Sequence, residues 1–325
     1  MALLSGGPVW AGPRPAEDEI RSAGTQPAER ISFKPVYSAG QDLVLSQGIH
    51  VEMDIPNPGG KQVHADTTMN YEIPLSVGKT ETGLSRIEAE VRKVHMRVLV
   101  RAGEKRTVTD SNNRGSLRPE LAMVFNMIDG MTFQATTTGT GRIVSVDGAE
   151  DSIIDRRKKQ GEVTPKTTNF RRFCENLESE FADILRQPYV YLPRGQIELG
   201  HRWEVKRDIV SPLMGTPGVA VRGKEQTLCK LVDVEETRFG TIASIMLSGE
   251  IVTPGKSDNA KQAYQLMGEV RYNLDNGRLV SHEIELDSAG KIRGVGVTTM
   301  MRITVQTSLK TAVADKEEPA ATETP

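Results

Sequence analysis

The residue types able to move protons are scattered along this chain. Its histidines are His50, His64, His95, His201 and His282, and the local pattern supplies a partner to one of them. If the chain turns back at Gly59, His64 falls opposite Asp54 on the polar face of a hairpin, where a carboxylate orients an imidazole. No nucleophile is placed beside that pair, so it reads as an exposed cross-strand contact and not as a catalytic one. Carboxylates are plentiful, and an acid/base pair assembled only by tertiary contact, as in a hydrolase, is the enzymatic alternative. Gly78-Lys79-Thr80 imitates the end of a phosphate-binding loop, but Ile73 stands where the first glycine is required. Gly139-Thr140-Gly141 lacks the third glycine and the helix of a dinucleotide fingerprint, and reads as a hairpin turn. HExxH, a nucleophile elbow and spaced Cys/His metal sets are missing from the sequence. It therefore assigns no catalytic, cofactor or metal residues.

Two further features concern contacts. Arg156, Arg157, Lys158 and Lys159 form the one local charge excess, continued by Lys166, Arg171 and Arg172. Such a run suits lipid headgroups or another anion, with a solvated linker as the plainer alternative. Cys174 and Cys229 show no metal-type spacing; they are either buried free thiols or, in an exported protein, a bridge from helix to sheet. The 41 basic and 43 acidic residues create no overall field toward nucleic acid, so no nucleic-acid partner is expected. Aromatic residues are few, and the only tryptophans, Trp10 and Trp203, offer little stacking surface for a sugar.

The elements that must position these residues are mostly strands. Leu43, Leu45, Ile49, Val51, Met53 and Ile55 alternate with polar residues, and after a Pro/Gly turn Val63, Ala65, Met69, Tyr71, Ile73 and Leu75 repeat the phase, which predicts a hairpin. Ile87, Ala89 and Val91 alternate in one phase and Val94, Met96, Val98 and Val100 in the other, as a β-bulge would require. A short helix is expected near 118–129, opened by Pro119 and ended before Gly130. A strand pair follows between 131 and 146. Over 165–187, Phe170, Phe173, Cys174, Leu177, Phe181, Ile184 and Leu185 recur at helical spacing and predict one long amphipathic helix. Strands are then expected near 189–192, 202–210, 226–235, 241–252, 263–274, 279–287 and 295–309. Residues 131–145 echo 267–281 in turn glycine, arginine and following apolar positions, which suggests two related β units.

The fold class expected is therefore mainly β, with curved antiparallel sheets, half-barrel or sandwich-like, packed on one long central helix. The units run 36–160 and 189–311 about a helix at 161–188, between unstructured segments 1–35 and 312–325. No stretch approaches the roughly 20 apolar residues of a membrane span. The opening residues lack a basic start and a full apolar stretch, so they match at most the remnant of a signal peptide.

Leu192-Pro193 followed by Gly200-His201-Arg202-Trp203 resembles the LP…GxxW segment of a family of uncharacterised, usually exported bacterial β-rich proteins. Val144 to Gly148 before the helix and the late Asp275 to Gly277 turn match it too, while His201 stands where the family has Asp. The resemblance covers most of 36–309 and implies a β fold and export to periplasm or cell envelope, with the cytoplasm as alternative. It transfers no activity and no site residue.

The functional expectation rests on cover. Many strands carry an apolar face and one substantial helix is available to shield it, so the sheets either close on each other or leave a groove. A non-enzymatic envelope module is expected, binding or structural, in which Phe170, Phe173, Leu177 and Phe181 line space for a lipid or other apolar ligand.

Overall fold

The computed structural model describes residues 30–34, 36–56, 62–79, 84–113, 119–138, 142–162, 167–211, 221–253, 262–291 and 298–312. Most of the two terminal segments expected to be unstructured, and the 139–141 turn, lie outside these. The strands are β1 (Gln41–Pro56), β2 (Gln62–Lys79), β3 (Ser85–Glu90), β4 (Arg92–Ala102), β5 (Lys105–Asp110), β6 (Thr132–Thr137), β7 (Ile143–Asp147), β8 (Arg202–Ser211), β9 (Val221–Thr237), β10 (Gly240–Thr253), β11 (Gln262–Asn273), β12 (Arg278–Lys291) and β13 (Thr298–Thr311). Three helices accompany them among the described residues: α1 (Pro119–Ile128), α2 (Ala149–Lys159) and α3 (Thr168–Val190).

All thirteen strands join one antiparallel sheet, along the path β7-β6-β3-β2-β1-β13-β12-β11-β10-β9-β8 with β4 and β5 branching from β2. The first and last strands pair directly, Leu45 opposite Leu309 and Ile49 opposite Val305, so the strands on either side of α3 form a single surface. The hairpin register places Asp54 opposite His64, and Leu43, Leu45, Ile49, Met69, Tyr71, Ile73 and Leu75 of the odd-numbered set are buried as the alternation requires, while Val51, Met53, Ile55, Val63 and Ala65 toward the hairpin tip are only half-buried.

The phase slip near residue 91 does more than bend a strand. Lys93 adopts φ 54°, the β2–β4 register shifts between Asn70 and Glu72, and the chain divides into two strands. β3 then continues onto β6, while β4 takes β5. The hairpins β6–β7 and β11–β12, which carry the sequence echo, each have a register shift just before the turn.

The helices correct the sequence reading in two places. Residues 149–159, expected to belong to the first β unit and its basic linker, form α2, with Glu150 and Asp151 in the first turn and Arg156 to Lys159 in the last. That distribution of charge suits the helix macrodipole. Only Ala149 and Ile153 are buried, so no apolar period advertised the helix. α3 begins later than expected, with Thr167 capping Phe170 N at 3.2 Å. It also runs three residues further, through Pro188 to Val190, the first half of the stretch expected to be a strand at 189–192, with Tyr191 as its C-cap. Tertiary bonds decide this last turn against its strand-like residues: Tyr37 Oη donates to the Leu185 carbonyl at 2.8 Å, and Tyr189 Oη accepts from Ile143 N at 2.7 Å.

The sheet bends about α3. β7 and β8, at opposite ends of the eleven-strand path, both pack on this helix, and so do β12 and β13 midway. Ten strand spacings of about 4.8 Å would separate the ends of a flat sheet by about 48 Å. A 23-residue helix is only about 35 Å long, so a flat sheet cannot touch it at both ends and in the middle. Inward-facing glycines mark tight places on this bend. A Cβ at Gly249 would intrude on the Gln226 carbonyl and lie 2.7 Å from Thr227 Cα, and one at Gly268 would intrude on the Glu283 carbonyl.

Gly249→Ala is therefore expected to destabilise the protein by about 1–3 kcal/mol in urea unfolding. Gly78→Ala, whose added carbon would meet only the Arg86 carbonyl at 3.8 Å, should change stability by less than about 0.5 kcal/mol.

Candidate functional site: a buried polar seam beneath the long helix

α3 meets the sheet in two chemically different halves. Toward its N-terminus Cys174, Leu177 and Phe181 are buried, and Phe181 stacks on Phe133 of β6 with centroids 4.9 Å apart. Phe170 and Phe173 are partly buried against the same core. The four residues expected to line a ligand space thus serve as packing. The void bordered by Phe181, with Met69, Tyr71 and Ile184, holds only about 20 Å³, room for a single water.

Toward the C-terminus the interface turns polar. Gln187 Oε1 accepts from Gln47 Nε2 of β1 and from Thr307 Oγ1 of β13, each at 2.7 Å, and Tyr71 of β2 donates to Gln47. Asp183 accepts from Arg186 Nη1 at 2.8 Å and from the backbone N–H of Val210 on the end strand β8. Beside it Arg207 Nε of β8 donates to Glu225 Oε2 of β9 at 2.8 Å, and Thr227 Oγ1 donates to Glu225 Oε1 at 2.7 Å. The Arg207 guanidinium also lies 5.8 Å from the centre of the Tyr191 ring, which packs on His282 of β12 at 5.3 Å. Asp183, Gln187, Tyr191, Arg207, Glu225 and His282 surround a void of about 30 Å³ whose other wall is apolar, from Ile251, Ile284, Leu286 and Val305.

Several groups in this seam are incompletely satisfied. Both ring nitrogens of His282, Tyr191 Oη and Arg207 Nη1 are buried without a hydrogen-bond partner among the described residues. Tyr191 Oη feels the charges of Glu225 and Arg207 but lies outside hydrogen-bond geometry with them. Burial, helped by the Arg207 charge, pushes His282 down to about 3, so its imidazole is neutral at ordinary pH. Burial opposes the charge on Arg207, yet Tyr191, Glu225 and Asp183 outweigh it and hold that pKa above its usual value. Burial also raises Tyr191 well above a normal phenol. A buried ion pair is often no better than apolar packing of the same volume, and each orphaned polar atom costs about 1–3 kcal/mol. These magnitudes predict that this half of the helix is the weaker half of the closure.

Sequence reasoning assigned none of these residues to a site, although three of them leave a trace. Gln47 stands in the phase of Leu45 and Ile49, His282 in that of Ile284 and Leu286, and Thr307 in that of Val305 and Leu309. A polar residue in an apolar phase is the signal. The residues that were singled out are dispersed. Arg156 donates to the Asn126 and Met127 carbonyls at the end of α1, at 3.0 and 3.3 Å, Arg157 pairs with Glu162 at 2.9 Å, and Lys158 and Lys159 are exposed. Cys174 and Cys229 are free buried thiols, both pushed up to about 12 by burial. His64 Nδ1 meets Asp54 at 2.9 Å as the hairpin register requires.

Fold and site together define a helix-covered antiparallel β-sheet protein with an internal ionic seam. No family model matches the chain, and neither does any curated protein. Among solved structures it is similar to a lipovitellin described for its lipid–protein interactions, at 10% identity and TM-score 0.47, over 86% of this chain and 26% of that one. It is also similar to a candidate lipoprotein of Parabacteroides distasonis, at 9% identity and TM-score 0.26, over 86% and 98%. The chain thus spans about a quarter of the length of the lipovitellin chain. Among the described residues no helix is long and apolar enough to cross a membrane.

Two outcomes test the seam. His282 binds a proton near 6.5 when unfolded and near 3 when folded, so the unfolded state holds more protons between those values. Stability is complete above about pH 6.5 and falls toward pH 3 by up to about 1.4 kcal/mol per pH unit from this group. Equilibrium unfolding of His282→Leu should lack that component, lowering the proton uptake on unfolding near pH 5 by about one. Glu225→Leu, which strands the Arg207 charge, should cost about 3–5 kcal/mol, and adding Arg207→Met should restore most of it in the same denaturation assay.

Proposed function

We infer that the protein is a non-enzymatic binding module of the cell envelope, holding a lipid or other apolar ligand between the inner face of the sheet and α3. The observation that carries this reading is the polar seam: the helix covers an apolar sheet face through an interface that includes orphaned donors and acceptors. Such an interface opens more readily than an apolar one of equal area. The voids directly beneath α3, about 30 and 20 Å³, are too small for an acyl chain, and the larger clefts of about 920 and 610 Å³ are open and lined largely by polar residues, so a ligand held under α3 requires the helix to act as a displaceable cover. The ligand replaces its side chains against residues such as Ile284, Leu286 and Val305. The cost of lifting the helix then lowers apparent affinity in proportion to the open fraction. The sequence resemblance to exported β-rich proteins supports the envelope location.

The tightly filled interior favours a second reading, a structural module in which α3 never leaves the sheet. Titration with a fluorescent fatty acid separates the two. The binding reading expects saturable uptake of about one probe per chain, weakened about tenfold or more in the Arg207→Met/Glu225→Leu protein, whose seam has lost its buried ion pair. No uptake by the wild-type protein, together with no lipid released from it in native mass spectrometry, would leave the structural module.

A further inference from the structure

The opposite face of the sheet carries a second cluster, independent of α3 and of any apolar ligand. On the outward side of the first hairpin, His50 and Glu52 are two residues apart on β1, and Glu52 sits directly opposite Asp66 on β2. The donor atoms of His50, Glu52 and Asp66 all lie within 4.8 Å of one another, and His50 Nε2 is 3.1 Å from Asp66 Oδ1. All three side chains are partly buried. Two carboxylates directly opposite across a ladder repel each other unless a cation lies between them. Arg302, opposite Glu52 on β13, contributes positive charge to Glu52 but gives its guanidinium hydrogen bonds to Asp287, at 2.9 Å from Nε. His50 bonds to one of the two facing acids, Asp66, and no hydrogen bond or ion pair joins Glu52 to a cation among the described residues.

We propose that His50, Glu52 and Asp66 form a divalent metal site, taking a borderline ion such as Zn²⁺ with solvent completing the coordination. Three protein ligands and an open position, one imidazole nitrogen and two carboxylate oxygens, suit zinc, whereas magnesium and calcium prefer oxygen alone. Tetrahedral zinc with bonds of about 2.0–2.1 Å separates neighbouring ligand atoms by about 3.3 Å, close to the His50–Asp66 spacing. The ion sets positive charge directly between Glu52 and Asp66, where Arg302 acts only from β13. Because the third ligand arrives through strand pairing, no linear spacing in the sequence announces the site.

The test is calorimetric titration of the full-length, chelator-dialysed protein with ZnCl₂. One equivalent should bind, and His50→Ala and Asp66→Asn should each weaken it by about tenfold or more while leaving the far-UV spectrum unchanged. His95→Ala, which removes a similar His95–Asp110 contact at 3.0 Å on β4 and β5, should leave zinc binding as it was. Absence of binding up to about 1 mM, or equal affinity in the His50→Ala protein, or equal loss in the His95→Ala protein, overturns the site. None of these outcomes depends on lipid binding.

Discussion

The two strands that end the main path of the sheet each give a backbone N–H to one helix. A strand at the end of a sheet presents backbone donors that must be paired, covered or left to recruit other chains. Here Tyr189 accepts from Ile143 N on β7, and Asp183, six residues earlier on α3, accepts from Val210 N on β8. The two strands are furthest apart along the sheet path and are brought to the same helix by its bend. Remove α3 and the sheet loses its apolar cover and the partners of both its ends together.

That arrangement explains why polar groups tolerate the interior. Asp183 must be buried to reach Val210, and Arg186, Arg207 and Glu225 extend its charge balance into the sheet. The Gln187–Gln47–Thr307 bonds then tie the same turn of helix to β1 and β13, where the two halves of the chain meet. Directional bonds of this kind define where the helix sits more sharply than apolar contact does, at the expense of strength. The N-terminal half, built on Leu177, Phe181 and Phe133, carries the complementary role of adhesion.

Much of this architecture was legible from the chain, and the remainder was not for identifiable reasons. Strict alternation marks β1, β2 and β8 to β13, since a half-covered sheet writes its burial into every second residue. The Asp54–His64 contact followed from the position of one turn. The β1–β13 pairing left no local mark, because strands distant in sequence recognise each other through the shared core. α2 escaped because two buried residues make no period, although its acidic start and basic end were in view. The seam was hidden by the assumption that residues in an apolar phase are apolar, and Gln47, Glu225 and His282 break that assumption where the helix is fastened.

The polar seam implies that the helix is held less firmly than the sheet it covers. Native-state hydrogen exchange, followed residue by residue across a range of low denaturant concentrations, measures this directly. Amides of the second half of α3 should exchange through an opening that costs less free energy than the opening of β1, β2 and β13. Exchange of all four elements through one common global unfolding event would contradict the claim and leave the helix a fixed part of the core.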